Sequence, residues 1–571
     1  MNKNNNYINN LISKMTLEQK VGSLLTLGFA GTLPRPHIYK YITKYNCGGL
    51  RLTPGARNFG NYTDPKTGKS VLDVSSNKGY KKGVQAPSVT ATQYKEMLDE
   101  LQELALSRPL GIPLHFSFDQ EGGTSANFDF AGVNVFPKPM GIRATGDSKL
   151  AYEIAKAVSA QSRAVGFNWI HSPVLDVNVV ANNREVNIRA YSDRVDEVVE
   201  YAEQSCIGFK EEGLIATAKH FPGRGDSPVD AHYEVPVITA DKETLMKREL
   251  LPYIELIKKD LLPSIMIAHS IFPAIDPDYI ATVSKKILTG LLRNELGFDG
   301  VITTDSMTMG AVAKEYGVAN ACALSLEAGA DLVLMKAEGV LVDETFNTIK
   351  QFVLDGRIPE DELDKKVYRV LNTKYEYGLF TQDKVPDNTV DSILNNEKIK
   401  YLSKLVAKRS VLVARDRKEV LPLSKEDKIL IIEQTEQTPN NYEWHPGMLF
   451  YNSTKYNQNI AYLETAYSMD ENDIERIRAI VKEFDTIVIT NFFTRSQLAN
   501  NEMVQELCLD PSKKIILVTN TPYEDLSIPK EADTVVITFA TTPNNMAVVA
   551  GTLFGEIHPE GEWPISLKIS K

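Results

Sequence analysis

Residues 219–232 read KHFPGRGDSPVDAH and set six titratable side chains among two glycines and two prolines. The LIATA before them, 214–218, is a short apolar run of the kind a buried strand requires. A strand that ends on Lys219 and His220, followed by a turn-rich loop carrying Asp230 and His232, gathers ammonium, imidazole and carboxylate groups at one strand end. Imidazole and carboxylate are the groups that pass protons near neutral pH. A solvated charged loop would look the same in isolation, so the rest of the chain must decide. The motif recurs: Asp119, Asp176, His269 and Asp305 also close apolar runs.

Eight apolar runs read as strands: 22–29, 48–53, 112–119, 169–177, 214–221, 264–270, 300–305 and 330–335. They alternate with helix-like segments, and Thr16-Leu17-Glu18-Gln19 is a capping box that starts one of them. Eight such units over roughly 350 residues predict an α/β protein with an N-terminal (β/α)8 TIM-like barrel, residues 1–380. A doubly wound sheet is the rival. The polar strand ends favour the barrel, where they would converge on the active-site face. Residues 54–92, polar and rich in Gly, Ser, Lys and Asn, predict an irregular insertion emerging on that face. A polar linker is expected at 381–400, then a C-terminal α/β (αβα) sandwich domain at 401–571. Its runs, 410–414, 428–433, 485–493, 514–520 and 533–540, read as parallel strands covered on both faces. No glycine-rich phosphate loop opens its helices, so a nucleotide role has no support.

The formal net charge of −11 argues against nucleic acid or a membrane surface as partner. No run of 18 apolar residues reads as a membrane span, and the N-terminal MNKNNNYINNLISKM lacks the apolar core of a secretory signal. Cys47, Cys206, Cys322 and Cys508 show no metal-ligand spacing and read as reduced thiols. The expectation is a cytoplasmic protein without metal or cofactor.

The chain resembles the glycoside hydrolase family 3 enzymes, specifically their β-N-acetylhexosaminidase branch, through MTLEQKVG (15–22), DQEGG (119–123), FNWIHSPVLDVN (167–178) and IRAYSD (188–193). The likeness continues through KHFPGRGD (219–226), GFDGVITTDSM (297–307), EAGADLVLM (327–335) and LFGEIHPEGEWPISL (553–567). This resemblance implies a retaining exo-β-N-acetylglucosaminidase acting on peptidoglycan or chitin-type fragments. Retention needs one group to attack the anomeric carbon and another to protonate the leaving oxygen. The resemblance implies Asp305 as nucleophile and His232, oriented by Asp230, as acid/base, with Asp119, Arg189, Lys219 and His220 binding the sugar. A helix cap for Asp305, and an Asp119–Lys219 ion pair of purely structural purpose, are the plainer readings. His269 reads as a satisfied core histidine, and Gly223, Gly225 and Pro228 as the means by which the loop opens and closes. The family pattern KHFPGHGD is broken by Arg224, which either favours an anionic substituent or acceptor or lies at the surface. Inorganic phosphate is therefore a second possible acceptor, which would make the enzyme a phosphorylase. A β-glucosidase or β-xylosidase competes with these readings, as does an inactive sugar-binding protein. The sequence is silent on oligomeric state.

Overall fold

Each of the eight apolar runs contributes a strand to one closed parallel barrel. The strands are β1 Leu25–Ala30, β2 Gly49–Thr53, β3 His115–Phe118, β4 Trp169–Ile170, β5 Ile215–Phe221, β6 Ser264–Ile267, β7 Val301–Thr304 and β8 Val333–Met335. The structure is a computed structural model describing residues 3–54, 89–123, 125–129, 132–336, 339–381, 387–435, 447–495 and 499–570. The strands follow chain order around the ring, with β8 returning to β1. Closure between β7 and β8 is a bridge from Thr303 to Leu332. The Thr304 amide supports it by donating to the Leu332 carbonyl at 3.1 Å. The run 169–177 yields only two ladder residues plus a bridge from Val174 to Lys219. Pro173 interrupts it, since proline has no amide to give the ladder. Helix Leu17–Ser23 starts at the capping box: Thr16 accepts from the Gln19 amide, and Gln19 accepts from the Thr16 amide. The insertion at 54–92 lies outside the described residues, save Pro54 and the approach to helix Ala91–Leu106.

The second sheet is built from β9 Leu412–Asp416, β10 Ile429–Gln434, β11 Ile460–Thr465, β12 Thr486–Thr490, β13 Lys514–Thr519 and β14 Thr534–Ile537. Its order is β9-β14-β13-β12-β10-β11. Ile487 and Ile489 join one apolar cluster while Val488 joins another, so both faces are covered and the domain is a three-layer sandwich. Two features differ from the expectation. Strand β9 runs antiparallel to β14, which an edge position with a half-wet face permits. Strand β11, the IAYLET at 460–465, is absent from the apolar runs because its mixed polarity hides it at the opposite edge. The segment expected as a linker carries helices Asp387–Leu394 and Glu397–Ser410, and Val390 and Leu394 bury themselves against the barrel helices.

The two domains meet at the carboxyl ends of the barrel strands. Asn178 donates to the Tyr523 hydroxyl at 2.7 Å, and Thr521 donates to Asn187 at 2.9 Å. This docking brings the residues after β12, Phe493 to Arg495, to the mouth of the barrel. Among the described residues no helix is long and apolar enough to cross a membrane.

Candidate active site

A cavity of about 410 Å³ opens at the carboxyl ends of the barrel strands and is walled on one side by Phe493, Thr494 and Arg495 of the second domain. Asp305, the residue after β7, enters it. Its Oδ1 accepts from the Ser306 amide at 2.7 Å, and its Oδ2 lies 3.7 Å from Arg224 Nη1 and 4.0 Å from His220 Nε2. Burial raises a carboxyl's pKa, but the Arg224 guanidinium, then His220 and His269, outweigh that and hold Asp305 well below the usual range. The group is an ionised carboxylate.

On the opposite wall a network of buried charges centres on Lys219. Its ammonium contacts Asp119 Oδ1 at 2.9 Å and Glu121 Oε1 at 2.6 Å. Arg51 also contacts Asp119, and Arg189 grips Glu121 with two bonds of 2.7 and 2.9 Å. Burial opposes ionisation of both carboxyls. Lys219 and Arg51 nonetheless hold Asp119 well down, and Arg189 and Lys219 do the same for Glu121. Lys336, the residue after β8, also lines the cavity, and burial beside Arg51 pushes it down to about 8.

His220 is fixed from behind. Its Nδ1 meets Asp176 Oδ2 at 2.7 Å, which leaves Nε2 to accept from Arg189 at 3.4 Å. Burial, with Arg224 nearby, lowers its pKa. The other Asp176 oxygen accepts from the Arg224 amide at 2.7 Å, tying the loop to the barrel. Gly225 serves the same closeness, since a Cβ there would collide with the Val177 carbonyl. The glycine therefore permits tight seating of this part of the loop.

The loop's far end delivers the imidazole. His232 Nδ1 lies 2.8 Å from Asp230 Oδ1 and 3.4 Å from Glu185 Oε1. Arg495 Nη1 lies 3.1 Å from His232 Nε2, and Arg495 Nε lies 3.4 Å from Asp230 Oδ2. A guanidinium only donates, so Nε2 accepts and the ring proton sits on Nδ1 facing Asp230. Glu185, Asp230 and His232 present ligand atoms within 4.8 Å of one another. The guanidiniums of Arg224, 2.7 Å from Glu185, and of Arg495 already supply the positive charge there, so the cluster reads as an ion-pair network.

Asp119, Arg189, Lys219, His220, His232 and Asp305 thus line one cavity, with Asp230 behind His232. His269 does not line it: Nδ1 meets Thr282 at 2.6 Å and Nε2 meets the Ser306 carbonyl at 3.1 Å. Arg224 is not a surface residue; it is 2% exposed and bridges Glu185 to Asp305. Sequence reasoning missed Glu121, Glu185, Lys336 and Arg495. Glu121 stands inside DQEGG, and Lys336 follows a strand by the same rule that selected Asp119, so both had a signal. Glu185 and Arg495 had none.

The profile of the glycosyl hydrolase family 3 N terminal domain matches residues 16–373. The chain is similar to "Beta-hexosaminidase A" of Pseudoalteromonas piscicida, 28% identical over 61% of this chain and 62% of that protein. It is also 28% identical to "Beta-N-acetylglucosaminidase/beta-glucosidase" of Cellulomonas fimi, over 60% and 61% of the two. The chain thus spans about three fifths of the length of these curated relatives. A solved glycoside hydrolase family 3 β-N-acetylglucosaminidase from Paenibacillus sp. str. FPU-7 superposes with TM-score 0.84 at 27% identity, covering 98% of this chain and all of that one.

Proposed function

The chain belongs to glycosyl hydrolase family 3, and on that premise we propose a retaining exo-β-N-acetylglucosaminidase that releases terminal β-linked N-acetylglucosamine from peptidoglycan or chitin-type fragments. The observation that carries this reading is one cavity holding an ionised Asp305 and a histidine whose Nδ1 is bound by a carboxylate. Asp305 attacks the anomeric carbon. The glycosidic C–O bond breaks as the departing oxygen takes the Nε2 proton of His232, which must then be doubly protonated, its Nδ1–H held by Asp230. A covalent glycosyl-enzyme results. The neutral ring next takes a proton from water, whose oxygen attacks the same carbon and frees Asp305, so configuration is retained.

Asp119 accepts from sugar hydroxyls, Lys219 and Arg189 donate, and His220 Nε2, which carries no proton, accepts. Because Lys219 and Arg189 are already fixed by Asp119 and Glu121, they also pre-position the carboxylates, lowering the reorganisation needed when sugar arrives. Trapping tests the assignment. A 5-fluoro glycosyl fluoride should leave its label on the peptide holding Asp305, read by mass spectrometry. Label on any other peptide overturns it.

A second reading has its own support. Arg224 Nε and Nη1 are shut off from solvent without hydrogen-bond partners among the described residues, and the side chain lines the cavity. A carboxylate base would repel a phosphate charge about 4 Å away by roughly 4 kcal/mol at an effective dielectric near 20, whereas a neutral imidazole does not. Inorganic phosphate could then replace water as acceptor, forming a β-configured sugar 1-phosphate. ³¹P NMR of the products at millimolar phosphate decides: sugar phosphate makes the protein a phosphorylase, and its absence during normal turnover makes it a hydrolase.

A further inference from the structure

The chain carries a formal net charge of −11, yet among the described residues seven Lys and Arg side chains and only four carboxylates line the catalytic cavity. Part of that positive charge is spent: Arg189 and Lys219 hold Asp119 and Glu121, and Arg224 lies between Glu185 and Asp305. Arg184 and Arg495 are less committed. Arg184 forms no ion pair among the described residues, its Nε is buried without a partner, and its guanidinium lies 5.9 Å from the Phe493 ring centre. Arg495 stands two residues beyond Phe493 and is 42% exposed. Its guanidinium meets His232 Nε2 at 3.1 Å and is ion-paired with Asp230 at 3.4 Å.

The placement identifies the side of the cavity. His232 Nε2 is the atom that must reach the departing oxygen, so whatever Arg495 touches there is the space of the leaving group. While Arg495 donates to Nε2, that nitrogen cannot carry the proton the leaving group needs. The guanidinium must therefore move when substrate binds, and a neutral aglycone offers it only uncharged acceptors in exchange.

We infer that Arg184 and Arg495, one from each domain, form a leaving-group subsite for an aglycone bearing an anionic group such as a carboxylate. Arg495 parks on the acid/base histidine when the site is empty and transfers to the anion when substrate arrives, freeing Nε2 for its proton. This deepens the glycosidase reading and rests on it for the identity of the leaving-group side. It also gives the second domain a chemical task, because the barrel alone supplies only half of the pair. A neutral chitin fragment would offer the two guanidiniums only uncharged hydrogen-bond acceptors, which bind them less strongly than a carboxylate.

Calorimetry on Asp305→Asn protein isolates binding from turnover. The probes are two β-linked N-acetylglucosaminyl disaccharides, one with a neutral aglycone and one whose aglycone carries a carboxylate. The acidic disaccharide should bind more tightly, and Arg495→Gln or Arg184→Gln in the same background should each cut that preference about fivefold, the size of one partly screened charge pair. Arg495→Lys should retain part of it. Equal affinity for the two disaccharides overturns the inference, as does a preference unmoved by both Gln variants. Inorganic phosphate is titrated in parallel, and if it binds at Arg495 while the disaccharides are not distinguished, the subsite is one for a free anion and the aglycone assignment fails. Hydrolysis of the neutral disaccharide by unaltered protein reports on the glycosidase reading separately.

Discussion

Replacing Arg224 separates its effect on the nucleophile from its structural work. With Nη1 3.7 Å from Asp305 Oδ2, the pair interaction is about 4.5 kcal/mol at an effective dielectric near 20. That is a ceiling, because His220, His269 and the Ser306 amide remain to stabilise the charge. If a third of it is expressed, about 1.5 kcal/mol, the carboxyl's pKa rises by about one unit, and the rate falls about sixfold at the pH where the unaltered carboxyl is half protonated. The direction follows from the chemistry. Asp305 attacks only when ionised, its carboxyl is held below the usual range, and activity is lost as pH falls through that value. Removing the cation raises the value, so the acid limb of kcat/KM moves to higher pH. Arg224→Gln should show this with a p-nitrophenyl N-acetylglucosaminide, and Arg224→Lys, which keeps the charge, should shift the limb much less. The Gln variant also takes the cationic partner from the buried Glu185 carboxylate, leaving it the Ala231 amide and His232, at a cost of up to about 3 kcal/mol, so its melting temperature must be read beside the profile. A folded Arg224→Gln protein with an unchanged acid limb refutes the electrostatic role.

His232→Ala should cost a natural disaccharide about 10²–10⁴-fold in turnover and an activated nitrophenol far less, since the phenolate departs unaided; equal losses would mean that the residue positions the loop or sugar. The kcat/KM for a 2-acetamido substrate should exceed that for the matching β-glucoside, and the reverse order would move the protein to the β-glucosidase reading. Lys374 is fully buried, donates to the Gly48 and Pro113 carbonyls, and is pushed by burial down to about 7 from 10.5. Between those values the unfolded chain holds a proton that the folded chain does not, so stability rises with pH across the window by about 5 kcal/mol in total. Lys374→Met should remove that slope in urea titrations at pH 7 and pH 9.5; parallel slopes in both proteins would refute it.

Much of the architecture was legible in the residue order. A strand buried on both faces is a largely apolar run, so all eight barrel strands stand out even where Arg51 or His115 interrupts one, and a polar residue ending such a run has the strand terminus to occupy. That rule reaches Asp119, Lys219, His220 and Asp305 without any coordinates, and it would have reached Lys336. The capping box at Thr16 is legible for a similar reason: its partners are three residues apart. Edge strands escape the rule, because β11 alternates polar and apolar residues and β9 is half wet.

What the order of residues left open is every relation between groups far apart in the chain. Whether Arg224 lies at the surface or 3.7 Å from Asp305 depends on how the loop seats against Asp176 and Val177. That Glu185 backs both Arg224 and His232 follows from the meeting of two loops 39 to 47 residues apart. Arg495 sits 263 residues from His232 and in the other domain. Local patterning records which face of an element is buried, since that is decided within a few residues. Electrostatic pairing is decided by distance in space, and only the docking of the second domain on the barrel's carboxyl face sets that distance for Arg495.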